Sequence, residues 1–154
     1  MRKLQTHSSH ARVPARPATG ILNPLLVFSP DPDVARSLTM LLEENYAVEL
    51  ETDLSRLGDH IHRLNPPITL VDLYPFPGEI LRTVEILQGR KERNPVVMFH
   101  VFRNSRPEIE KAIREVSDII LYKPINTDLV AELISVLMAV HHSRKLHAEQ
   151  GPSI

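Results

Sequence analysis

The segment ITLVD, residues 68–72, is a short apolar run that ends in a carboxylate, and it decides the fold of this chain. A second apolar run, IILY at residues 119–122, is followed directly by Lys123 and Pro124. Short apolar runs separated by amphipathic stretches predict a parallel sheet with a helix between successive strands. The carboxyl ends of such strands share one edge, where open α/β sheets do their chemistry. The sequence therefore predicts that Asp72 and Lys123 meet at this edge.

The same pattern predicts five strands and five helices. We expect strands at residues 25–28, 47–51, 68–72, 96–99 and 119–122. The second strand alternates polar and apolar residues, which is typical of an edge strand. Because crossovers are right-handed, these elements predict an α/β fold of the flavodoxin-like type, with a doubly wound five-stranded parallel sheet of order 2-1-3-4-5.

Several residues mark where the helices begin and end. Asp31 is a plausible N-cap of the first helix, and a capping-box pattern at residues 105–108 marks the start of the fourth. Pro75 to Gly78 predict a turn before the third helix. Asn126 or Thr127 caps the last helix, which is expected to end near Lys145.

Composition limits the classes of protein that this chain can belong to. A length of 154 residues and a hydrophobic fraction of 42% suit one domain with a real core. A net charge of −1 argues against a dedicated nucleic-acid surface. The absence of Cys excludes disulfides and thiolate sites, and no apolar run reaches the ~20 residues of a membrane helix. We expect a cytoplasmic protein that binds neither nucleic acid nor membrane.

The two ends of the chain differ from its middle. Residues 1–20 hold Arg2, Lys3, Arg12 and Arg16 and no acid, which predicts a disordered basic leader. Residues 21–146 form the predicted domain, and residues 147–154 the predicted C-terminal tail.

Three segments together resemble one known family. They are LVFSPDPDV at residues 26–34, LVDL at 70–73 and LYKP at 121–124. In order and spacing they are similar to the bacterial response-regulator receiver domain of the chemotaxis-regulator type, over residues 21–146. The resemblance implies that Asp72 stands where a histidine kinase transfers a phosphoryl group. It also implies that Lys123 contacts the phosphoryl oxygens, and that the Lys123–Pro124 peptide bond is often cis in relatives.

The chain departs from that family at the metal site. The family places two acids after the first strand to hold magnesium, and this chain has Ser29 and Pro30 there. Asp31 and Asp72 remain as candidate ligands, but Asp31 better suits the N-cap of the first helix. Because magnesium is usually held by carboxylates, waters and phosphate, we expect poor magnesium binding and no bound cofactor.

Two further departures affect the switch that the family uses. His100 replaces the hydroxyl residue that contacts the phosphoryl group, so it is either a phosphate contact or a polar strand-end residue. Ile120 replaces the aromatic residue three positions before the lysine. Because Ile120 has no polar tip, the usual relay between the two positions is predicted to be absent.

The last helix has two apolar stripes, whereas a helix on the outside of a sheet needs one. Leu129, Leu133, Val136 and Val140 form the first stripe. The second stripe is predicted to be an exposed interface for a homodimer; its interface residues are Val130, Ile134, Leu137, Met138 and His141. The alternative is a deeply set helix whose flanks are covered by its neighbours.

These observations predict a divergent, stand-alone receiver-like signalling protein that is not an enzyme and acts through protein–protein contacts. It is predicted to be a pseudo-receiver, in which magnesium-dependent phosphorylation is impaired. Its partner is expected to be a histidine kinase or a downstream regulator. Two alternatives stay open: a working phosphoacceptor that uses Asp72, and a small-molecule module with its ligand between Ser29, Asp72, His100 and Lys123. The remaining histidines lack the spacing of a helical zinc site and are predicted at the surface; they include His60, His62, His141 and His142.

Overall fold

The computed structural model describes residues 22–101 and 106–149, and it contains five strands that alternate with five helices. The strands are β1 (Asn23–Phe28), β2 (Tyr46–Glu51), β3 (Thr69–Asp72), β4 (Val96–His100) and β5 (Ile119–Tyr122). The helices are α1 (Pro32–Leu42), α2 (Leu54–Leu64), α3 (Pro77–Gln88), α4 (Pro107–Val116) and α5 (Thr127–Glu149). All strand pairs are parallel, in the order β2-β1-β3-β4-β5, so the predicted fold class is confirmed.

Helices cover both faces of the sheet and enclose two separate cores. Elements α2, α3 and α4 lie on one face, and α1 and α5 lie on the other. Leu26 and Phe28 of β1 pack into the first core, whereas Leu25 and Val27 pack into the second. Because both faces are covered, the central strands are continuous apolar runs instead of alternating ones.

Within residues 22–101 and 106–149, strand β2 lies at one edge of the sheet and pairs with β1 alone. Its residues are half-buried or exposed, and Leu50 keeps 41% of its surface exposed. The alternating polarity of this strand therefore predicted its position correctly.

The helix termini agree with most of the predicted signals. Asp31 caps α1 by accepting a hydrogen bond from the Asp33 backbone N–H at 2.9 Å. Asn126 caps α5 through its side-chain oxygen, which accepts from the Leu129 N–H at 3.1 Å. Helix α3 begins at Pro77, inside the predicted turn, because proline fits the first helical position.

Some predictions concern residues outside the described ranges. The predicted leader at residues 1–20 lies there, as do Ser105 and residues 150–154. The described N-cap of α4 is Arg106, with no side-chain cap bond. Helix α5 continues four residues past its predicted end near Lys145, into the predicted tail, because residues 146–149 contain no helix breaker.

The predicted orientation of α5 is wrong. Val130, Ile134 and Met138 are at most 4% exposed and pack against the sheet in the second core. Leu137 and His141 are half-buried. None of these five predicted interface residues forms an exposed stripe, because this side of the helix faces the protein's own sheet.

The other apolar side of α5 faces solvent. We call Leu129, Val136 and Val140 the α5 outer stripe; they are 46%, 55% and 43% exposed. Leu133, in the same stripe of the sequence, is partly buried. Successive residues on a helix are about 100° apart, so the outer stripe and the core-facing stripe are adjacent and together make a wide apolar arc.

Among the described residues, no helix is both long and apolar enough to cross a membrane. Helix α5 has 23 residues, but charged and imidazole side chains fill its last turns.

The orientation of α5 predicts unequal costs for two neighbouring substitutions. Ile134→Ala should lower the free energy of unfolding by about 2–5 kcal/mol, because it opens a cavity in the core. Val136→Ala, two positions along, should change it by less than about 0.5 kcal/mol, because the side chain is exposed. Urea unfolding of both variants measures this difference. Equal costs, or a larger cost for Val136→Ala, would contradict the orientation.

Candidate functional site

Polar side chains gather where the central strands end. Asp72 is the last residue of β3, Ser29 directly follows β1, and Lys123 directly follows β5. In the register of the β1–β3 pair, Phe28 lies opposite Val71. Ser29 and Asp72 each come one residue later, so they are neighbours across this pair. This is the edge at which the sequence predicted that Asp72 and Lys123 would meet.

The carboxylate of Asp72 is buried and contacted on both oxygens. Only 1% of the surface of Asp72 is exposed. Ser29 Oγ donates a hydrogen bond to Oδ2 at 2.7 Å, and the Lys123 ammonium lies 2.5 Å from Oδ1. Oδ1 accepts no other hydrogen bond from the described residues. We call Ser29, Asp72 and Lys123 the rim cluster; the Asp72–Lys123 pair within it was predicted and is confirmed.

Ser29 has a role that the sequence did not reveal. Its residue is fully buried, and its hydroxyl accepts a hydrogen bond from the Asp31 backbone N–H at 3.1 Å while donating to Asp72. The hydroxyl therefore links the β1–α1 loop to the end of β3. From the sequence, Ser29 marked a missing acid and one side of a possible ligand site. Its hydrogen bond to Asp72 could be recognised only once the register of β1 against β3 was known.

The donor set beside Asp72 does not fit a magnesium ion. Pro30 has no side-chain oxygen, and Asp31 is exposed and directs Oδ1 to the Asp33 N–H at the start of α1. Magnesium requires several oxygen ligands in near-octahedral geometry. Within the described ranges, no group of three acidic or histidine side chains is arranged to hold a metal.

His100 ends β4 and is directed towards α4. Its Nε2 lies 3.5 Å from Glu110 Oε1, and the residue is 5% exposed. Burial lowers the pKa of His100 below its usual value of 6.5; Glu110 opposes this shift and Lys123 adds to it. The neutral imidazole is therefore favoured in the folded protein.

Glu110 was not singled out from the sequence. It lies on α4 next to the inward-facing Ile109 and Ile113, and that position on the helix was the available signal. Its Oε2 is buried and accepts no hydrogen bond from the described residues. The backbone carbonyl of His100 accepts from the Lys123 N–H at 2.9 Å, so His100 also fixes the start of the loop that carries Lys123.

The loop after β5 has the backbone that the resemblance implied. The Lys123–Pro124 peptide bond is cis. Tyr122 is 38% exposed, with its ring centroid 6.3 Å from that of His100, whereas Ile120 packs against the first core. The aromatic ring near His100 thus comes from the residue just before Lys123.

His60 is less exposed than the sequence indicated. Its Nε2 lies 2.5 Å from Glu49 Oε2 and its Nδ1 3.4 Å from Glu51 Oε1, with 10% of the side chain exposed. The prediction of a surface position is therefore wrong for His60, which joins α2 to β2. The two ring nitrogens of His60 face different carboxylates. The side chains of His60, Glu49 and Glu51 therefore do not converge on one point where a metal ion could bind.

The rim cluster predicts a non-additive pair of substitutions. Lys123→Met should lower the free energy of unfolding by about 3 kcal/mol, because it leaves a buried carboxylate without its cation. Adding Asp72→Asn to Lys123→Met should restore part of that loss, because the uncompensated charge is then gone. Urea unfolding of the two single variants and the double variant measures the coupling. Additive losses would show that the ion pair does not stabilise the fold.

The chain is similar to known proteins in its three-dimensional structure. No family model and no curated protein matches the chain. A CheY-like response regulator receiver domain protein from Methanospirillum hungatei JF-1 is similar in structure, with a TM-score of 0.68 and 19% identity over 80% of this chain and 98% of that chain. The receiver domain of the Francisella response regulator 1452 has a TM-score of 0.62 and 22% identity, over 79% and 98% of the two chains.

A two-component response regulator from Clostridium difficile is also similar, with a TM-score of 0.64 and 18% identity over 76% of this chain and 96% of that chain. These solved chains are matched over almost their whole length, so the likeness covers a complete domain. At such low sequence identity, the structural likeness supports the fold and does not establish the chemistry of the site. The strand order, the rim cluster and these likenesses agree that the chain has the fold of response-regulator receiver domains.

Proposed function

We propose that this chain is a pseudo-receiver, a receiver-fold signalling protein that acts through protein–protein contacts without phosphorylation of Asp72. The observation that supports it is the rim cluster, in which both oxygens of the would-be acceptor are already occupied. On this proposal the protein is not an enzyme and has no cofactor. It works in the cytoplasm, and its partner is a histidine kinase or a downstream regulator.

Phosphoryl transfer to Asp72 would meet two obstacles. An in-line attack needs an accessible carboxylate oxygen, and here the residue is 1% exposed and the ion pair and hydrogen bond must be broken first. The transferred phosphoryl group also needs cations on its oxygens. Lys123 offers one, but Ser29 and Pro30 supply no carboxylate to hold a second.

The surface that we propose for contact is the α5 outer stripe. An apolar stripe at the surface of an otherwise ordinary helix is typical of an interaction site. A homodimer through α5 remains our proposal, with Leu129, Val136 and Val140 in the interface in place of the buried residues that the sequence suggested. The exposed Tyr122 on the edge strand β5 adds an aromatic side chain of the kind enriched in interfaces.

Exposure to acetyl phosphate and magnesium tests the absence of phosphorylation. We expect the intact mass of the chain to stay unchanged, because Asp72 is occluded and Ser29 and Pro30 supply no carboxylate to hold magnesium beside it. Ser29→Asp with Pro30→Asp restores the two acids of the family pattern and removes the hydroxyl that contacts Asp72. This double variant should gain one phosphoryl group, and adding Asp72→Asn should abolish the gain.

Amide NMR spectra with magnesium and beryllofluoride, a phosphoryl mimic, give an independent readout of the same samples. The parent chain should show no widespread shifts. Rapid labelling of the parent at Asp72, or beryllofluoride shifts that Asp72→Ala removes, would establish a working phosphoacceptor and end the proposal.

Sedimentation equilibrium tests the homodimer. We expect a dimer at high micromolar concentration, and Val136→Glu should dissociate it by placing a charge in an apolar contact. Ser135→Glu is the matched control, because Ser135 is exposed but lies about 100° around the helix from Val136. A monomeric parent chain, or equal effects of the two variants, would exclude the α5 outer stripe as the dimer interface.

A further inference from the structure

The edge of the molecule formed by α1 and β2 has an open groove. Its volume is about 340 Å³. We call it the α1–β2 groove, and its lining includes Ala35, Arg36, Thr39, Met40, Glu43 and Leu50. Met40 and Leu50 are 65% and 41% exposed. The groove therefore has an apolar surface that its own helix and strand leave uncovered.

The lining of this groove carries one charge of each sign. Of the described residues that line it, only Arg36 and Glu43 are charged, and neither has an ion-pair partner among the described residues. Glu43 directly follows α1 and keeps helical backbone angles. The two residues are seven positions apart, almost two full turns, so they lie on one side of the helix about 10 Å apart along its axis. Thr39 and Met40 lie midway between them, so the charges are placed symmetrically about the apolar centre of the groove.

Other acids close to this edge do not line the groove. Glu49 and Glu51 lie on the α2 side of β2, where both contact His60. Asp33 and Glu44 are exposed on α1 and just after it, but they are outside the lining as well. At the rim of a contact, exposed acids of this kind are screened by water and contribute little.

The symmetric placement meets the requirement of a contact between two copies of one surface. In a two-fold interface, residue i of one copy contacts residue j of the other, and j contacts i. When two α1 helices meet antiparallel with the axis between Thr39 and Met40, Arg36 of each copy faces Glu43 of the other. A parallel pairing would place like charges opposite each other, so the charges select the antiparallel arrangement.

The polar residue at the centre of such a contact already has its hydrogen bond. Thr39 Oγ1 donates to the Ala35 backbone oxygen at 2.8 Å, so the hydroxyl needs no acceptor from the second copy. The two Met40 side chains then pack against each other and against Leu50, and methionine adapts well to apolar surfaces of this kind. The contact therefore removes apolar surface from water and pairs both charges at once.

We propose that the α1–β2 groove is a contact surface for a second copy of this chain. Two antiparallel α1 helices pair through Met40 and Leu50, and two Arg36–Glu43 ion pairs flank this apolar centre. One short helix and one end of a strand make an interface smaller than that of a stable dimer, so the contact is weak and transient. It uses a different surface from the α5 outer stripe, so it stands whether or not the α5 homodimer forms. Where both form, copies joined through α5 associate further at higher concentration.

Amide NMR spectra of the full chain at increasing concentration test the inference. The chain carries Val136→Glu, which disables the α5 outer stripe, so that the groove alone reports association. Between about 0.1 mM and about 2 mM, the range of a weak encounter, we expect the amide signals of Met40 and Leu50 to shift with concentration. The signal of Glu115, on α4, should stay in place.

Charge reversal in the same chain separates a symmetric pair from any other contact. Arg36→Glu alone and Glu43→Arg alone should each remove the concentration dependence, because like charges then face each other. An equal mixture of these two variants should restore it. One chain of the mixture carries two acids at these positions and the other carries two bases, so every position faces its opposite only in the mixed pair.

Ser37→Glu is the matched control for a change of charge on α1. Ser37 is exposed, lies about 100° around the helix from Arg36 and does not line the groove, so this variant should keep the concentration dependence. Shifts that are absent at the highest concentration, that survive either reversal or that fail to return in the mixture would overturn the inference. Loss of the shifts in Ser37→Glu would overturn it as well.

Discussion

The negative charge of a carboxylate that is buried at the end of a strand must be neutralised and hydrogen-bonded. At the end of β3, one ammonium and one hydroxyl do this for Asp72. Lys123 neutralises Oδ1 of Asp72, and Ser29 donates a hydrogen bond to Oδ2. The ion pair stabilises the fold only because both partners are held in place, since removing either leaves a buried charge or a partly exposed cation without its counterion. The ends of β1, β3 and β5 are thereby fixed relative to one another.

This arrangement changes what the edge of the sheet can do. In the receiver pattern the acids after β1 hold a cation and leave the strand-end aspartate free to react. In this chain Ser29 donates a hydrogen bond to that aspartate, so the same position contributes to structure. We propose that the chain retained the fold as a rigid surface for other proteins. The His100–Glu110 contact extends the fixed region from the strand ends to α4.

Much of the architecture was predictable because local signals agreed with the global fold. Runs such as ITLVD, the N-caps at Asp31 and Asn126 and the alternation in β2 each specified an element and its place. The orientation of α5 was not predictable from hydrophobicity, since Val130 and Val136 are equally apolar. Only the position of the sheet beneath the helix distinguishes the stripe of Val130 from that of Val136.

The sequence predicted the ion pair of the site but not its hydrogen bonds. Asp72 and Lys123 lie at the ends of two recognisable strands, so their meeting followed from topology. The contact between Ser29 and Asp72 depends on the register of β1 against β3, and the position of Glu110 depends on how α4 docks. Neither leaves a distinctive spacing in the sequence, because each joins residues from different elements.

A crystal structure of the chain grown with magnesium and beryllofluoride tests the central claim most directly. We predict that Ser29 Oγ stays within hydrogen-bond distance of Asp72 Oδ2, that the Lys123 ammonium stays on Oδ1, and that no density for metal or beryllium adjoins the carboxylate. A beryllofluoride group on Asp72 with a coordinated magnesium ion beside it would contradict this account.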